Sequence, residues 1–583
     1  MRAIGAPSRW GFSAAVAALL LHGGATAQST PAADILLVGG KILTVDTQDS
    51  VAEAVAITGN RISAVGTRAQ VEAMAGPETR IIDLQGRTVT PGLIDTHIHL
   101  ASGGTQDALF INLSPERARD MDGVRKLIAE KVVSTPPGAF VRGNGWDETK
   151  LAEKRFILAS DIDAASPNHP VYLTNTTGHY GVANSVALQM AGITSETPDP
   201  PGGTIHRLPD GSPSGLLLER AQNLVRAHIP ALTDDELYTG ITSAAQGLVS
   251  ECMTGAKDPG IGEQVWSVYQ RALTDGKLPV RLFALWRTPD TMEEAQALVS
   301  RIGRMTRPYE TTGNDRLISG GIKITLDGSG GGRTAWMHED WHKHWDETDT
   351  GNKGYPVMPL DRAMDLIKLY HSSGLHVGIH AIGDRAIDWT VDALEEVEKA
   401  DPDSDLRHSI IHANVPTDYA LDKMAMLQKN YGAAYPEAQG LFLWWLGDTY
   451  AGNLGPDRAS RLKPFAAYAQ RGIIWMNGSD YPVSPYPARN GLWASVDRST
   501  LLGLYGDRPF GTANAADIHM ALRSYTAWAA RSLYLENKVG SIEVGKYADI
   551  AVWDQDIYTA PIDKVKDMKC AITIFDGKIV HGG

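Results

Sequence analysis

The chain has 583 residues, 43% hydrophobic and 21% charged, with a net charge of -14. That length exceeds one simple domain but suits a barrel with additions. The composition is that of an ordinary globular protein, and the acidity disfavours nucleic acid as a partner.

The first 27 residues read as a secretory signal peptide. Arg2 and Arg9 give a positive start, Gly11 to Leu21 is apolar but too short to span a membrane, and Ala25-Thr26-Ala27 fits a small-x-small cleavage site. With no Arg-Arg pair and no cysteine near the site, a twin-arginine route and a lipid anchor are disfavoured. The expectation is a periplasmic or secreted enzyme beginning at Gln28, with no stable membrane anchor. The two cysteines, Cys252 and Cys570, make no disulfide scaffold. Two free thiols are expected, a bridge staying open.

From 28 to 90 the chain alternates short apolar runs with turns. Asp34 to Val38 is broken by Gly39-Gly40, and Ala54 to Ile57 leads through Thr58-Gly59-Asn60 into Arg61 to Val65. The same texture returns over 536–583, where Ile550 to Trp553 and a pair flanking Asp576-Gly577 close the chain. One small β-sandwich built from both termini is expected.

Between them, over 91–535, strands alternate with helices as in a (β/α)8 TIM-like barrel. The first strand ends in Thr96-His97-Ile98-His99. Residues two apart on a strand share a face, so two imidazoles can hold one metal ion. Residues 102–232, rich in Gly, Pro and Asn, read as an insertion into the first βα loop, above the mouth. Thr233-Asp234-Asp235-Glu236 starts a helix to about Gln246. Strands 2 to 8 are expected at Gly247–Cys252, Val280–Trp286, Gly321–Leu326, His376–His380, Ser409–His412, Gly432–Tyr435 and Gly472–Met476.

Ligand-type residues recur at these strand ends. Lys323 lies among isoleucines, where an ammonium is costly unless paired. It can pair with Asp327, or lose its proton and add carbon dioxide to become a carbamate. His380, His412 and Asp480 each follow an apolar run.

Together, His97-x-His99, Lys323, His380, His412 and Asp480 resemble the metal site of the amidohydrolase superfamily. Gly143-Asn144-Gly145-Trp146-Asp147, Gly178-His179, Leu326-Asp327-Gly328-Ser329 with Arg333-Thr334-Ala335, and Gly478-Ser479-Asp480-Tyr481-Pro482-Val483 are similar to its YtcJ-like, amidohydrolase-3 branch, which includes N-substituted formamide deformylases. At strand 7, Tyr435-Pro436-Glu437 departs from the Gln-Pro-like turn expected there.

The resemblance implies two divalent ions, most suitably zinc, bridged by carboxylated Lys323. His97, His99 and Asp480 would hold one and His380 and His412 the other. A water between ions roughly 3.5–4 Å apart would become hydroxide near neutral pH and attack a carbonyl. Asp480 would carry the proton to the leaving amine, and His179 would bind the carbonyl or its oxyanion. Asp147 and Arg333 would be further substrate contacts, while Trp146, Trp336, Trp444 and Trp445 lie in segments that either line the mouth, pointing to an apolar or aromatic substituent, or pack the insertion. The implied reaction is hydrolysis of a non-peptide C–N bond in a small-molecule amide, such as an N-acyl or N-formyl amine. A homo-oligomer is compatible with the sequence. A deaminase is the alternative within the superfamily. It is disfavoured because Ala381-Ile382-Gly383 follows His380 where deaminases carry His-x-x-Glu. A non-catalytic binding protein is disfavoured by the complete ligand set.

Overall fold

The computed structural model describes residues 32–307, 315–402, 404–506 and 510–583. The expected signal peptide lies outside them. Among the described residues no helix is long and apolar enough to cross a membrane.

Eight parallel strands form the central sheet in chain order: Leu93–Asp95, Met253–Ile261, Arg281–Arg287, Leu317–Thr325, Val377–Ala381, Ser409–His412, Tyr435–Ala438 and Met476–Asn477. Neighbours pair in register, for example Thr325 with His380 and Ala381 with His412. The first and last strands share no ladder. They are joined where Thr96 N–H and its hydroxyl both donate to Asn477 O, at 3.1 and 2.9 Å. The sheet is thus a nearly closed barrel, and its strands are buried on both faces, as near-continuous Val/Ile/Leu runs require.

Three expected strands are displaced. The segment 247–252 is not strand but the end of the helix Asp234–Ser250 and the turn after it. A Thr233/Glu236 capping box and an apolar face through Leu237, Ile241, Ala245 and Leu248 carry that helix a full turn further. Cys252 then turns in the left-handed region, φ 62°, and strand 2 starts at Met253. Strands 7 and 8 begin three and four residues later than expected, because Gly432 and Gly472 sit in left-handed turns that end the preceding helices.

Strand 1 is followed directly by the helix Leu100–Leu109, which packs on Asp234–Ser250. The crossing is tight. A Cβ on Gly104 would stand 2.3 Å from Gly240 O, and one on Gly240 would stand 2.5 Å from Thr105 N. This close approach fixes the helix that begins at His99.

The insertion has structure of its own rather than being loop. Six strands pair in the order Gly203–Arg207, Pro213–Glu219, Tyr180–Ala183, Val171–Asn175, Val141–Trp146 and Ile111–Asn112. Two apolar clusters cover its faces.

Two further sheets involve the termini. A four-stranded one is wholly N-terminal. In a six-stranded one Thr88–Pro91 pairs antiparallel with Ile550–Trp553, so strands from both ends share it. Side chains from both sheets, including Leu37, Ile57, Val89, Val552 and Ile574, meet in one cluster.

Cys252 and Cys570 are not free thiols. They are bonded, across 318 residues of sequence, with a Cα–Cα distance of 5.4 Å that suits a disulfide. The turn before strand 2 and the C-terminal strand Cys570–Phe575 bring them together, a juxtaposition that sequence spacing does not show.

Candidate metal centre

The C-terminal ends of the barrel strands collect the expected side chains. His97 Nε2 and His99 Nε2 lie 3.3 and 3.2 Å from Asp480 Oδ1, and these three residues are able to hold one metal ion. His412 Nδ1 is 4.0 Å from Asp480 Oδ2. The rings of His97 and His380 stand 5.2 and 4.5 Å from that of His412. His412 and Asp480 both take left-handed backbone conformations, φ 77° and 57°, uncommon for non-glycine residues and recurrent where strain serves a site.

Each histidine has one nitrogen turned to an acceptor. His380 Nε2 lies 3.0 Å from Gly328 O, which can only accept, so the ring donates there and Nδ1 keeps its lone pair. Gln439 Nε2 donates to Glu437 O at 2.8 Å, which sets Gln439 Oε1 as acceptor for His412 Nδ1–H at 3.0 Å. That leaves the lone pair on His412 Nε2. His99 Nδ1 faces Asp258 at 3.9 Å, and His97 Nδ1 faces Glu437 at 3.6 Å. Such outer partners fix tautomer and ring orientation in metal sites.

The residues fit a metal on a further observation. His97 Nδ1 and Nε2, Asp480 Oδ1 and Glu437 Oε2 are buried with no hydrogen-bond partner. A buried polar atom left unpaired is costly, and a cation between His97 Nε2 and Asp480 Oδ1 satisfies both. Burial would raise the Asp480 carboxyl, but the rings of His97, His99 and His412 hold it well below the usual carboxylate range. Burial and neighbouring cations push His380 and His412 well down, which keeps both neutral.

Lys323, on strand 4, is 8% exposed and pushed down to about 8 by burial, with Lys257 adding to this and Asp480 and Glu437 opposing it. It does not pair with Asp327. That carboxylate accepts N–H bonds from Ile382, Gly383 and Trp336 at 2.9–3.0 Å, tying the loops after strands 4 and 5 together.

His179 reaches the barrel from the insertion. Its ring is 5.3 Å from that of His380, and its Nδ1 is 2.9 Å from Glu219 Oε2. Burial pulls the ring down, but Glu219, with Asp480 and Asp327 behind it, carries it above its usual value.

The other expected substrate contacts lie elsewhere. Trp146 is fully buried in the insertion, its Nε1–H donating to Leu173 O at 3.1 Å and its ring meeting Tyr180 edge to face. Arg333 is turned to Asp349 at 2.9 Å. Asp147 accepts from Thr149 and Thr449 and pairs with Lys150 at 3.3 Å, joining the insertion to the helix after strand 7. Trp445 lies under the Lys150 ammonium and Trp444 edges onto Trp493.

Sequence reasoning missed Lys257, Asp258 and Gln439, and took Glu437 only as a departure. The signal was there in Lys257-Asp258, two charges inside an otherwise apolar strand. A second histidine group, His371 and His408 with Glu398, is not a metal site on this geometry. His408 Nδ1 accepts the Val377 N–H at 3.0 Å, so its proton sits on Nε2 and points at His371 Nδ1, 2.8 Å away.

The chain is similar to known proteins over most of its length. The N-substituted formamide deformylase of Arthrobacter pascens is 29% identical over 557 residues, 93% of this chain and 97% of the relative. The YtcJ protein of Bacillus subtilis (strain 168) is 27% identical over 93% of this chain and 98% of its own. An uncharacterized metal-dependent hydrolase from Pyrococcus horikoshii OT3 shares the fold, with TM-score 0.68 at 23% identity over 91% of this chain and 99% of that one. The sequence model of the amidohydrolase family matches residues 80–581, most of the chain, so the chain belongs to that family, the hydrolases of carbon–nitrogen bonds.

Proposed function

We propose that the protein hydrolyses the amide-type C–N bond of a small non-peptide N-acyl or N-formyl amine, using two divalent cations. The observation that carries this reading is the gathering of His97 Nε2 and His99 Nε2 around Asp480 Oδ1, with His380 Nε2 and His412 Nδ1 each held by an acceptor so that their other nitrogens keep a lone pair. His97, His99 and Asp480 hold one ion and His380 and His412 the other, with carboxylated Lys323 between them. Zinc suits this imidazole and carboxylate set. Such ions supply Lewis acidity and lower the pKa of water towards about 7.

Asp480 takes the proton of the attacking water and passes it to the leaving amine. His179, steadied by Glu219, donates to the oxygen that gains charge in the transition state. The insertion, joined to the barrel through Asp147 and Thr449, keeps bulk water from the mouth.

The same reading treats the two terminal sheets as one small β-sandwich and residues 1–27 as a cleaved export signal. The disulfide supports export, because such bonds persist in oxidising compartments.

The test is a screen of N-acyl and N-formyl amines and amino acids on zinc-loaded and chelator-stripped protein, following amine release. Turnover of an N-acyl or N-formyl substrate that is lost with the metal supports the reading. Ammonia release from a heterocyclic amine, with the whole panel inert, would replace it with deamination.

A further inference from the structure

A line of buried polar groups runs through the barrel below the metal ligands. His376, at the entry of strand 5, donates from Nδ1 to Leu406 O at 3.0 Å, so its Nε2 is an acceptor. Lys257, wholly buried on strand 2, donates to that Nε2 at 3.2 Å and to Glu437 Oε1. Glu437, wholly buried on strand 7, turns its other oxygen to His97 Nδ1 at 3.6 Å, and His97 Nε2 faces Asp480 Oδ1 at 3.3 Å.

The four atoms of the last two steps are those without hydrogen bonds. They form two facing pairs, each a ring nitrogen opposite a carboxylate oxygen. A neutral imidazole has one N–H and one lone pair. With the proton on Nε2, the Nδ1 lone pair would face the Glu437 carboxylate, acceptor against acceptor. With the proton on Nδ1, the ring donates to Glu437, and the Nε2 lone pair and Asp480 Oδ1 share a cation. Of the two neutral forms, only the second satisfies all four atoms.

We propose that Glu437, braced by Lys257 and His376, is a positioning residue for the metal centre, its free oxygen accepting from His97 Nδ1–H and so committing the Nε2 lone pair to the cation. This rests on His97 being a metal ligand. Lys257 fixes which oxygen does the work, since its ammonium occupies Oε1 and leaves Oε2 for the ring.

The test uses zinc affinity, measured by chelator competition on the metal-stripped full-length protein, with thermal melting to show that each variant folds. In Glu437→Gln the amide oxygen stays on the Lys257 ammonium, so the amide NH2 turns to His97 Nδ1 and favours the wrong tautomer. Zinc affinity should fall 10- to 100-fold, as for loss of outer partners elsewhere. Adding Lys257→Met frees the amide to rotate its oxygen to His97, so the double variant should bind zinc more tightly than the single one. A merely structural pair would make the double variant the weaker binder. Wild-type affinity in Glu437→Gln, or a folded double variant that has lost zinc as fully as His97→Ala, overturns the proposal. If His97→Ala itself binds zinc like the wild type, the ligand reading falls and the proposal with it. If His97→Ala loses zinc while Glu437→Gln keeps it, only the positioning role falls.

Discussion

His380 Nε2 sits 3.0 Å from the carbonyl oxygen of Gly328, so the loop after strand 4 sets the tautomer of a candidate ligand on strand 5. Gly328 is packed where no side chain fits: a Cβ would stand 2.2 Å from Thr334 Oγ1 and 2.7 Å from Glu219 Oε1. Thr334 donates to Glu219, and Glu219 holds His179, so one loop supports two site histidines. Gly328→Ala should destabilise the fold by about 1–3 kcal/mol through overpacking. It should also lower both zinc content and turnover. Metal analysis and a thermal melt check this, and unchanged zinc in a destabilised variant would separate the loop from the ligand.

His179 should matter to turnover and not to metal. Its Nδ1 is engaged by Glu219, and it stands beside His380 rather than among the atoms around Asp480. His179→Ala should lose about 10²–10³ in kcat, the range for removal of one oxyanion donor. Zinc content should stay at the wild-type level. Loss of metal in this variant would make His179 a ligand and rewrite the site.

The candidate ligands were legible in sequence because the histidines and Asp480 follow apolar runs and Lys323 interrupts one, and a strand in a parallel barrel is read from such a run. The partners of those ligands were not. Asp258 lies on strand 2, Glu437 on strand 7 and Gln439 just past it, and what brings them to His99, His97 and His412 is the meeting of strands far apart in sequence, which no local pattern encodes. Strand 2 shows why boundaries slipped. Gly247-Leu248-Val249 has the apolar character of a strand, yet Leu248 and Val249 continue the buried face of a capped helix. Trp146 is a related case, since sequence left a place at the mouth and a place in the packing of the insertion both open. An indole beside Asp147 suits a substrate mouth, but the insertion folds around a core of its own and uses the ring there. The cysteine pair was illegible because its members are 318 residues apart.

The disulfide should stabilise without touching the chemistry. It joins the turn before strand 2 to the C-terminal sheet, on the side of the barrel opposite the strand ends that carry the ligands. Removing it as Cys252→Ala/Cys570→Ala should cost roughly 2–4 kcal/mol, because a long loop regains its freedom in the unfolded chain. The melting temperature should fall, and kcat and KM should stay within about twofold. A reductant should lower the wild-type melt and leave the variant unmoved.

Glu398 gives a pH-dependent prediction remote from the metal. Its side chain is buried, Oε1 has no hydrogen bond, and burial pushes its carboxyl up to about 7, with Asp401 and Asp405 adding to the rise and Ser404 opposing it. His408 and His371 face it and are themselves pushed down by burial, so neither brings a charge that would pair with the carboxylate. A raised folded pKa means that the native state binds more protons than the unfolded one between the ordinary glutamate value and about 7. Stability is therefore lost as pH rises through that window. Glu398→Gln mimics the protonated form, so its melting temperature should gain on that of the wild type between about pH 5 and 8. Parallel melting curves across that range would show that the carboxyl titrates normally.

The last prediction concerns Lys323. The amine is almost wholly buried, makes no hydrogen bond among the described residues, and is lowered to about 8 by that burial, so an appreciable neutral fraction exists near physiological pH. A neutral amine adds carbon dioxide through its nitrogen lone pair. The new N–C bond leaves a carbamate and releases one proton, turning a neutral group into a negative one beside four histidines. Four imidazoles and Asp480 exceed the three protein ligands of one catalytic zinc, and two cations sharing them repel each other unless an anion lies between. The carbamate supplies that anion with two oxygens. Lys323→Ala should lose most activity and at least one of two zinc ions. Lys323→Glu keeps a carboxylate on a shorter stem, so it should retain more zinc than the alanine variant while recovering little turnover. Growth and zinc loading with 13C-bicarbonate should give one carbamate carbon resonance per chain, absent in both variants. A fully active enzyme with a single zinc and no such resonance would show that the centre is mononuclear and Lys323 a bare amine.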